Sequence, residues 1–322
     1  MFKMKTLTAG IAASLLLSYG AASSAAISAG AIAQSYLEVN NFAFRNAVVD
    51  PTCGNTKFLC NLAVSAVNST ASTNPSLNGV NNPLVQTVNT NGGTLNVVTS
   101  VGAGYVSGSL LNGGGLPTSS FAGGTSTSFG DALQNFDHVV VDSSVSLAPP
   151  ALVGNSNSKQ TLGARFNFAV TNPTVFDLAF DAKGFMRTAL GQDFVFAKAN
   201  RTWSLTVHRL SDGKQILGWS PNGVLGDVSC TNNGANVCTE VADGFDMQAN
   251  NLTAIFNGDD FVTNNPFAHF EFKLGLAAGQ YSIDLTHTTT ADAQINPVPE
   301  PTTLALLGLG LVGAGVSRRR KS

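Results

Sequence analysis

Apolar residues alternate with polar ones in segment after segment of the chain's second half. Phe166, Phe168 and Val170 alternate in this way, as do Phe176, Leu178 and Phe180, then Trp203, Leu205 and Val207. Phe270, Phe272 and Leu274 follow the same rule, and so do Tyr281, Ile283 and Leu285. Successive side chains of a strand point to opposite faces, so each segment offers one apolar face to a core and one polar face to water. Asp212-Gly213 separates the Trp203 run from Gln215 to Trp219, which is the chemistry of a tight hairpin turn. Gly279 turns the chain between the last two runs, so that Tyr281 to Leu285 returns as the final strand. Long helical periodicity is absent between the two termini. The expected fold is all-β, a β-sandwich of jelly-roll type.

The first half is less regular. Ser35 to Arg45 alternates Leu37 and Val39, then Phe42 and Phe44. The one-residue break predicts a strand with a bulge, able to join the late strands. Residues 65–127 are rich in Asn, Ser, Thr and Gly, with one clear alternation at Leu95, Val97, Thr99 and Val101. This stretch reads either as short strands joined by long loops or as a flexible surface segment. Phe129 to Phe136 is the one helix candidate of the body, and no fixed-period repeat forces a solenoid.

The two ends differ from this body. Lys3 and Lys5 precede an apolar run from Leu7 to Tyr19, and small residues follow at 21–26. That order predicts a secretory signal helix over 1–26, cut after Ala25 or Ala26. At the other end, Pro299-Glu300-Pro301 is followed by an apolar run at 302–317 and then by Arg318, Arg319, Arg320 and Lys321. As a helix the run is about 24 Å long, and it spans a hydrocarbon core of roughly 30 Å only with snorkelling arginines and local thinning. Gly308, Gly310, Gly313 and Gly315 weaken that helix and let a partner helix approach closely. Cations at both ends stay inside by the positive-inside rule, so residues 27–295 are the exported body. Asn296 to Pro301 is an extended linker, suited to a protease groove.

The tail at 296–322 resembles the PEP-CTERM sorting signal of Gram-negative bacteria, on Val298-Pro299-Glu300-Pro301, the Gly/Leu-rich run and the Arg-rich end. The resemblance implies recognition by an exosortase, a membrane-embedded Cys protease-transpeptidase, with transient anchoring in the inner membrane. It also implies a link to exopolysaccharide and biofilm, with catalysis belonging to the exosortase and not to this chain.

Charged residues are 11% of the chain and the formal net charge is −2. Without a basic patch, nucleic acid is not an expected partner. Twenty Phe against two Trp predict an apolar core instead of a disordered chain. Four cysteines form two close pairs, Cys53 with Cys60 and Cys230 with Cys238. Four cysteines allow three connectivities. An oxidising compartment favours disulfides within each near pair, each contributing about 2 kcal/mol, and the spacings are wide for a zinc site.

Catalytic and metal candidates are sparse. His138, His208, His269 and His287 lie in or beside strand-like segments, without a metal-ligand spacing, and are expected on outer strand faces. Asp259-Asp260, with Asp243 and Asp246, offers carboxylates for Ca²⁺, but turn residues exposed to water are the expected reading. Glu240 and Glu271 would serve a glycosidase only if a cleft brought them together. Trp203 and Trp219 flank the Asp212-Gly213 hairpin and are expected in the core instead of on a sugar-stacking surface. Three glycosylation-type triplets, at Asn68, Asn200 and Asn251, carry little weight in a bacterial envelope protein. The expectation is a non-catalytic exported protein without cofactor or metal, structural or adhesive at the cell surface or in the extracellular matrix. A carbohydrate-binding module is the alternative, and a secreted glycoside hydrolase comes third.

Overall fold

The computed structural model describes residues 30–47, 62–64, 69–88, 94–108, 119–131, 135–148, 153–162, 168–191, 196–226, 229–230, 238–248, 252–254 and 258–295. Both terminal segments, and with them the expected signal helix and C-terminal membrane helix, lie outside the described residues. The strands in chain order are β1 (Ala31–Asn46), β2 (Leu62–Val64), β3 (Ser69–Thr73), β4 (Ser76–Leu77), β5 (Val80–Asn81), β6 (Leu84–Val88), β7 (Leu95–Gly102), β8 (Phe121–Asp131), β9 (Asn135–Leu147) and β10 (Val153–Leu162). They continue with β11 (Phe168–Val170), β12 (Thr174–Leu190), β13 (Phe196–Arg209), β14 (Gln215–Trp219), β15 (Ser229–Cys230), β16 (Cys238–Asp243), β17 (Leu252–Ala254), β18 (Gly258–Leu276) and β19 (Gly279–Gln294).

These strands form two antiparallel sheets. The first runs β16-β18-β12-β1-β9-β8-β7, and the second runs β15-β14-β13-β19-β10-β3-β6 with the short strands attached beside it. β1 lies between β9 and β12, which joins the first strand to the later ones. Its register with β12 shifts between Asn40 and Ala43, and Asn41 takes a positive φ of 55°. The break in alternation between Val39 and Phe42 is this bulge. The hairpin between β13 and β14 has Gly213 at φ 66°, a conformation that glycine adopts without a Cβ penalty.

The alternating residues make one shared core. Leu37, Val39, Phe42 and Phe44 of β1 and Phe176, Leu178 and Phe180 of β12 meet Trp203, Leu205 and Val207 of β13 and Ile283 and Leu285 of β19. Phe180 stacks on Phe270 at 4.9 Å between ring centroids and lies 4.9 Å from Trp203. Each such ring pair contributes about 0.5–1.5 kcal/mol beyond the area it buries. Trp203 and Trp219 meet edge to face at 5.3 Å, both fully buried, as core residues.

One expectation needs correction here, and two others gain detail. The helix candidate at 129–136 is not helical: β8 runs to Asp131 and β9 starts at Asn135, and the two pair with each other. Phe129 lies near the end of β8 and Phe136 near the start of β9, and their seven-residue spacing imitates two helical turns. The chain turns before Gly279 into the final strand as expected, and it changes sheet there, because β18 belongs to the first sheet and β19 to the second. Ala277 and Ala278 carry the chain from one sheet to the other. Within 65–127, the stretch left open between strands and flexible surface, the described residues form strands β3 to β7 and the start of β8.

Candidate functional site

Val298, Pro299, Glu300, Pro301, Arg318, Arg319 and Arg320, the residues of the sorting signal, lie outside the described residues. So do Cys53 and Cys60. Cys230 ends β15 on the edge of the second sheet and Cys238 opens β16 on the edge of the first. Cys238 is not a free thiol.

On the body, polar side chains concentrate on the outer face of the first sheet. β1 turns Leu37 and Val39 inward, so Gln34, Tyr36 and Glu38 point the other way. The register sets Glu38 beside Lys183 of β12 and sets Tyr36 beside Asp142 of β9. The Tyr36 hydroxyl donates to Glu38 Oε2 at 2.6 Å, and Lys183 Nζ reaches the same oxygen at 2.7 Å. His138 Nε2 lies 2.8 Å from Glu38 Oε1. Burial pushes the Glu38 carboxyl up, but the hydrogen bonds from Lys183 and Tyr36 and the Lys183 and His138 charges outweigh it and hold it below its usual range. Burial, with the neighbouring Glu38, pushes the Tyr36 phenol well above its usual value.

Asp142 is the opposite case. It is fully buried, and burial raises its pKa despite hydrogen bonds from Gln34, the Gly108 amide, Ser144 and Tyr105. Gln34 Nε2 donates to Asp142 Oδ1 at 3.0 Å, and the Tyr105 hydroxyl and Gly108 N–H donate to Oδ2, each at 3.1 Å. The Tyr105 ring lies on Gly123, where a Cβ would stand 2.2 Å from Cγ. Residues 105–108 thus cover this half of the outer face, and Asp142 anchors them. One carboxyl held ionised and another biased towards its neutral form resembles an acid–base pair. Asp142 is nonetheless closed to solvent and engaged by four groups, so its geometry serves to hold the segment.

A second polar row continues on the same face. Asp181 Oδ2 accepts from Asn41 Nδ2 at 2.8 Å, and Asp181 Oδ1 lies 2.8 Å from His269 Nδ1. Burial raises the Asp181 carboxyl, but these hydrogen bonds and the His269 charge together outweigh it and hold it below its usual range. Lys183 Nζ also lies 4.8 Å from the centre of the exposed Phe267 ring.

The other sequence candidates separate. Glu240 and Glu271 are on neighbouring strands, but Glu240 pairs with the core position Phe272 and points inward. It accepts from Trp219 Nε1 at 2.6 Å, whereas Glu271 lies outside beside His269 and Lys273. They therefore do not share a cleft. Asp243 Oδ2 accepts from the Asn222 and Gly223 amides at 3.0 and 2.9 Å, and Asp246 Oδ1 from the Gln248 amide at 2.7 Å. These are turn-fastening roles. Asp259 and Asp260 belong to β18, not to a turn as expected. Among the described residues no group of His, Cys, Asp and Glu is placed to hold a metal ion.

His287 corrects the outer-face expectation for the histidines. It continues the inward row Tyr281, Ile283, Leu285 of β19, pairs with Trp203 and is fully buried. Neither ring nitrogen has a hydrogen-bond partner, and burial takes its pKa down to about 3. Arg201, on the adjacent strand, is buried too; its guanidinium packs on the Phe245 ring at 5.0 Å and donates from Nη2 to the Asp246 carbonyl at 2.8 Å. Sequence reasoning missed Glu38, Lys183, Asp142 and Tyr105. Only the polar positions Tyr36 and Glu38 within the β1 alternation signalled an outer face with something to do.

Residues 297–321 match the PEP-CTERM protein-sorting motif. The motif marks an exported protein, targeted by an exosortase and sorted through the membrane towards the cell surface. No curated protein and no solved structure matches the chain. Among the described residues no helix is long and apolar enough to cross a membrane.

Proposed function

We propose that the chain is a non-catalytic exported protein of a Gram-negative bacterium, held transiently in the inner membrane by a helix at 302–317 and then cut near Pro299-Glu300-Pro301. Its body is a β-sandwich of jelly-roll type, delivered to the cell surface or extracellular matrix with a structural or adhesive role in exopolysaccharide and biofilm. The observation that carries this reading is the motif at 297–321 behind an all-β body. The passages β9 to β10, β12 to β13 and β18 to β19 each change sheet, which supports the jelly-roll assignment. A Cys230–Cys238 disulfide would join the two sheets at one flank, because these residues lie on edge strands of different sheets. A Cys53–Cys60 disulfide would close the other small loop.

The test is replacement of Pro299, Glu300 and Pro301 by alanine in the host, followed by fractionation. The expected result is accumulation of a full-length chain in the membrane and its loss from surface and medium. Unchanged release would refute the proposal. A carbohydrate-binding role is favoured by one observation, the exposed Phe267 ring beside Lys183, Glu38 and His138 on the outer face. A glycan array with and without Ca²⁺, showing no saccharide bound, would remove that reading.

A further inference from the structure

Sheet edges in exported proteins are normally blunted by charges, bulges, very short strands or covering side chains, because an open edge recruits another strand. Among the described residues, three sheet edges are blunted. β16 carries Glu240 and Asp243 and a register break between Glu240 and Ala242. β15 is only two residues long. β7 has its Asn96 amide bound to Gln86 Oε1 at 3.0 Å, and its Ser100 carbonyl accepts from Asn82 Nδ2 at 3.0 Å.

β6, the remaining described edge, has neither a charge nor a bulge; its Gln86 reaches across to β7, and residues 84–87 stay exposed. Among the described residues it ends its sheet beside β3, and Leu84 to Val88 run against Thr73 to Ser69 without a shift in register. The strand reads Leu-Val-Gln-Thr-Val, with no charge and no proline. Leu84 is 44% exposed and Val85 63%, and Val80 in the preceding strand β5 is 61% exposed. Residues 58–130, which supply β2 to β7 and nearly all of β8, contain no Asp, Glu, Lys, Arg or His. A five-residue uncharged, β-prone edge is the kind of segment that pairs with its own copy.

We infer that β6 is a self-association edge, paired antiparallel with β6 of a second copy about a two-fold axis at Gln86. That pairing sets Leu84 opposite Val88 and Val85 opposite Thr87, apolar and β-branched neighbours that favour a ladder. The charge pattern selects a second copy as occupant. Two flanks without a charged side chain over residues 58–130 meet without like-charge repulsion. Antiparallel addition joins the second sheets of the two molecules into one. The inference does not depend on the sorting route, since a chain retained in the membrane can pair in the same way.

The test compares full-length wild type with Val85→Lys, purified in detergent, by sedimentation across concentrations up to about 100 μM, a range that reaches micromolar and weaker association. Val98→Lys, on the exposed face of β7, is the control, and far-UV circular dichroism establishes that each variant is folded. Wild type and Val98→Lys are expected to dimerise, and Val85→Lys to raise the dissociation constant about tenfold or more, since the change occurs twice across the axis. Hydrogen exchange at amides 84–88 is expected to slow as wild-type concentration rises. A monomeric wild type, or an oligomer indifferent to Val85→Lys with exchange at 84–88 independent of concentration, would overturn the proposal. So would a monomer that binds host polysaccharide through this edge, which would make a neutral glycan the occupant.

Discussion

The Trp219 indole of the second sheet donates from Nε1 to Glu240 Oε1 of the first sheet at 2.6 Å. The bond crosses the core near the flank where β14 and β16 face each other, and Glu240 Oε2 accepts the Gly226 amide at 2.8 Å. A buried carboxylate keeps its place only while its oxygens are satisfied. Trp219→Phe removes the donor and part of the ring, and is expected to cost about 2–4 kcal/mol in denaturant unfolding. A double-mutant cycle with Glu240→Leu, which removes the acceptor, should return a coupling of at least about 1 kcal/mol. Additive effects would show that the bond does not join the sheets.

His287 makes stability depend on pH in a defined window. Its folded pKa is about 3 and its ordinary value is about 6.5, so the unfolded chain binds a proton that the folded chain refuses. The contribution is fully present above pH 6.5 and is lost as pH falls from 6.5 towards 3, amounting to a few kcal/mol at the lower end. His287→Phe keeps a ring against Trp203 and removes the titration. Chemical unfolding at several pH values is expected to show a shallower loss between pH 6.5 and 4 for the variant than for wild type. Parallel curves would contradict the burial of a neutral imidazole.

Gly123 is where the segment at 105–108 meets the first sheet. A Cβ there would stand 2.2 Å from the Tyr105 ring, and the ring cannot withdraw without loosening its hydroxyl from Thr125 and Asp142. Gly123→Ala is expected to cost about 1–3 kcal/mol and to raise exchange at the Gly108 amide. An unchanged melting temperature would mean that the segment yields without cost.

Some of this was legible in the sequence and some was not, for physical reasons. The alternations at Trp203 to Val207 and Tyr281 to Leu285 marked strands correctly because only one of their faces is buried. The same rule fails for β1 and β9, where Gln34, Asp142 and Ser144 are as buried as Leu37 and Val141. Their second face is covered by residues distant in the chain, and a buried Asp-Ser-Ser run looks like a turn. Polarity alone suggests a surface for His287, whereas its position in the inward row of β19 sets it in the core. A short turn with glycine reads the same whether it closes a hairpin, as at Gly213, or changes sheet, as at Ala277-Ala278. The tail was legible because its three-part order needs no tertiary context.

The central claim is that the C-terminal motif is a processed sorting signal. The most direct measurement is the intact mass of the protein recovered from its host, separately from membrane, surface and medium. The account predicts a mature surface or medium form that ends near Pro299 to Pro301 and lacks the apolar run and the arginines. Any added mass at that end would identify what was attached. A full-length chain found only in the membrane would contradict the account and make the tail a plain anchor.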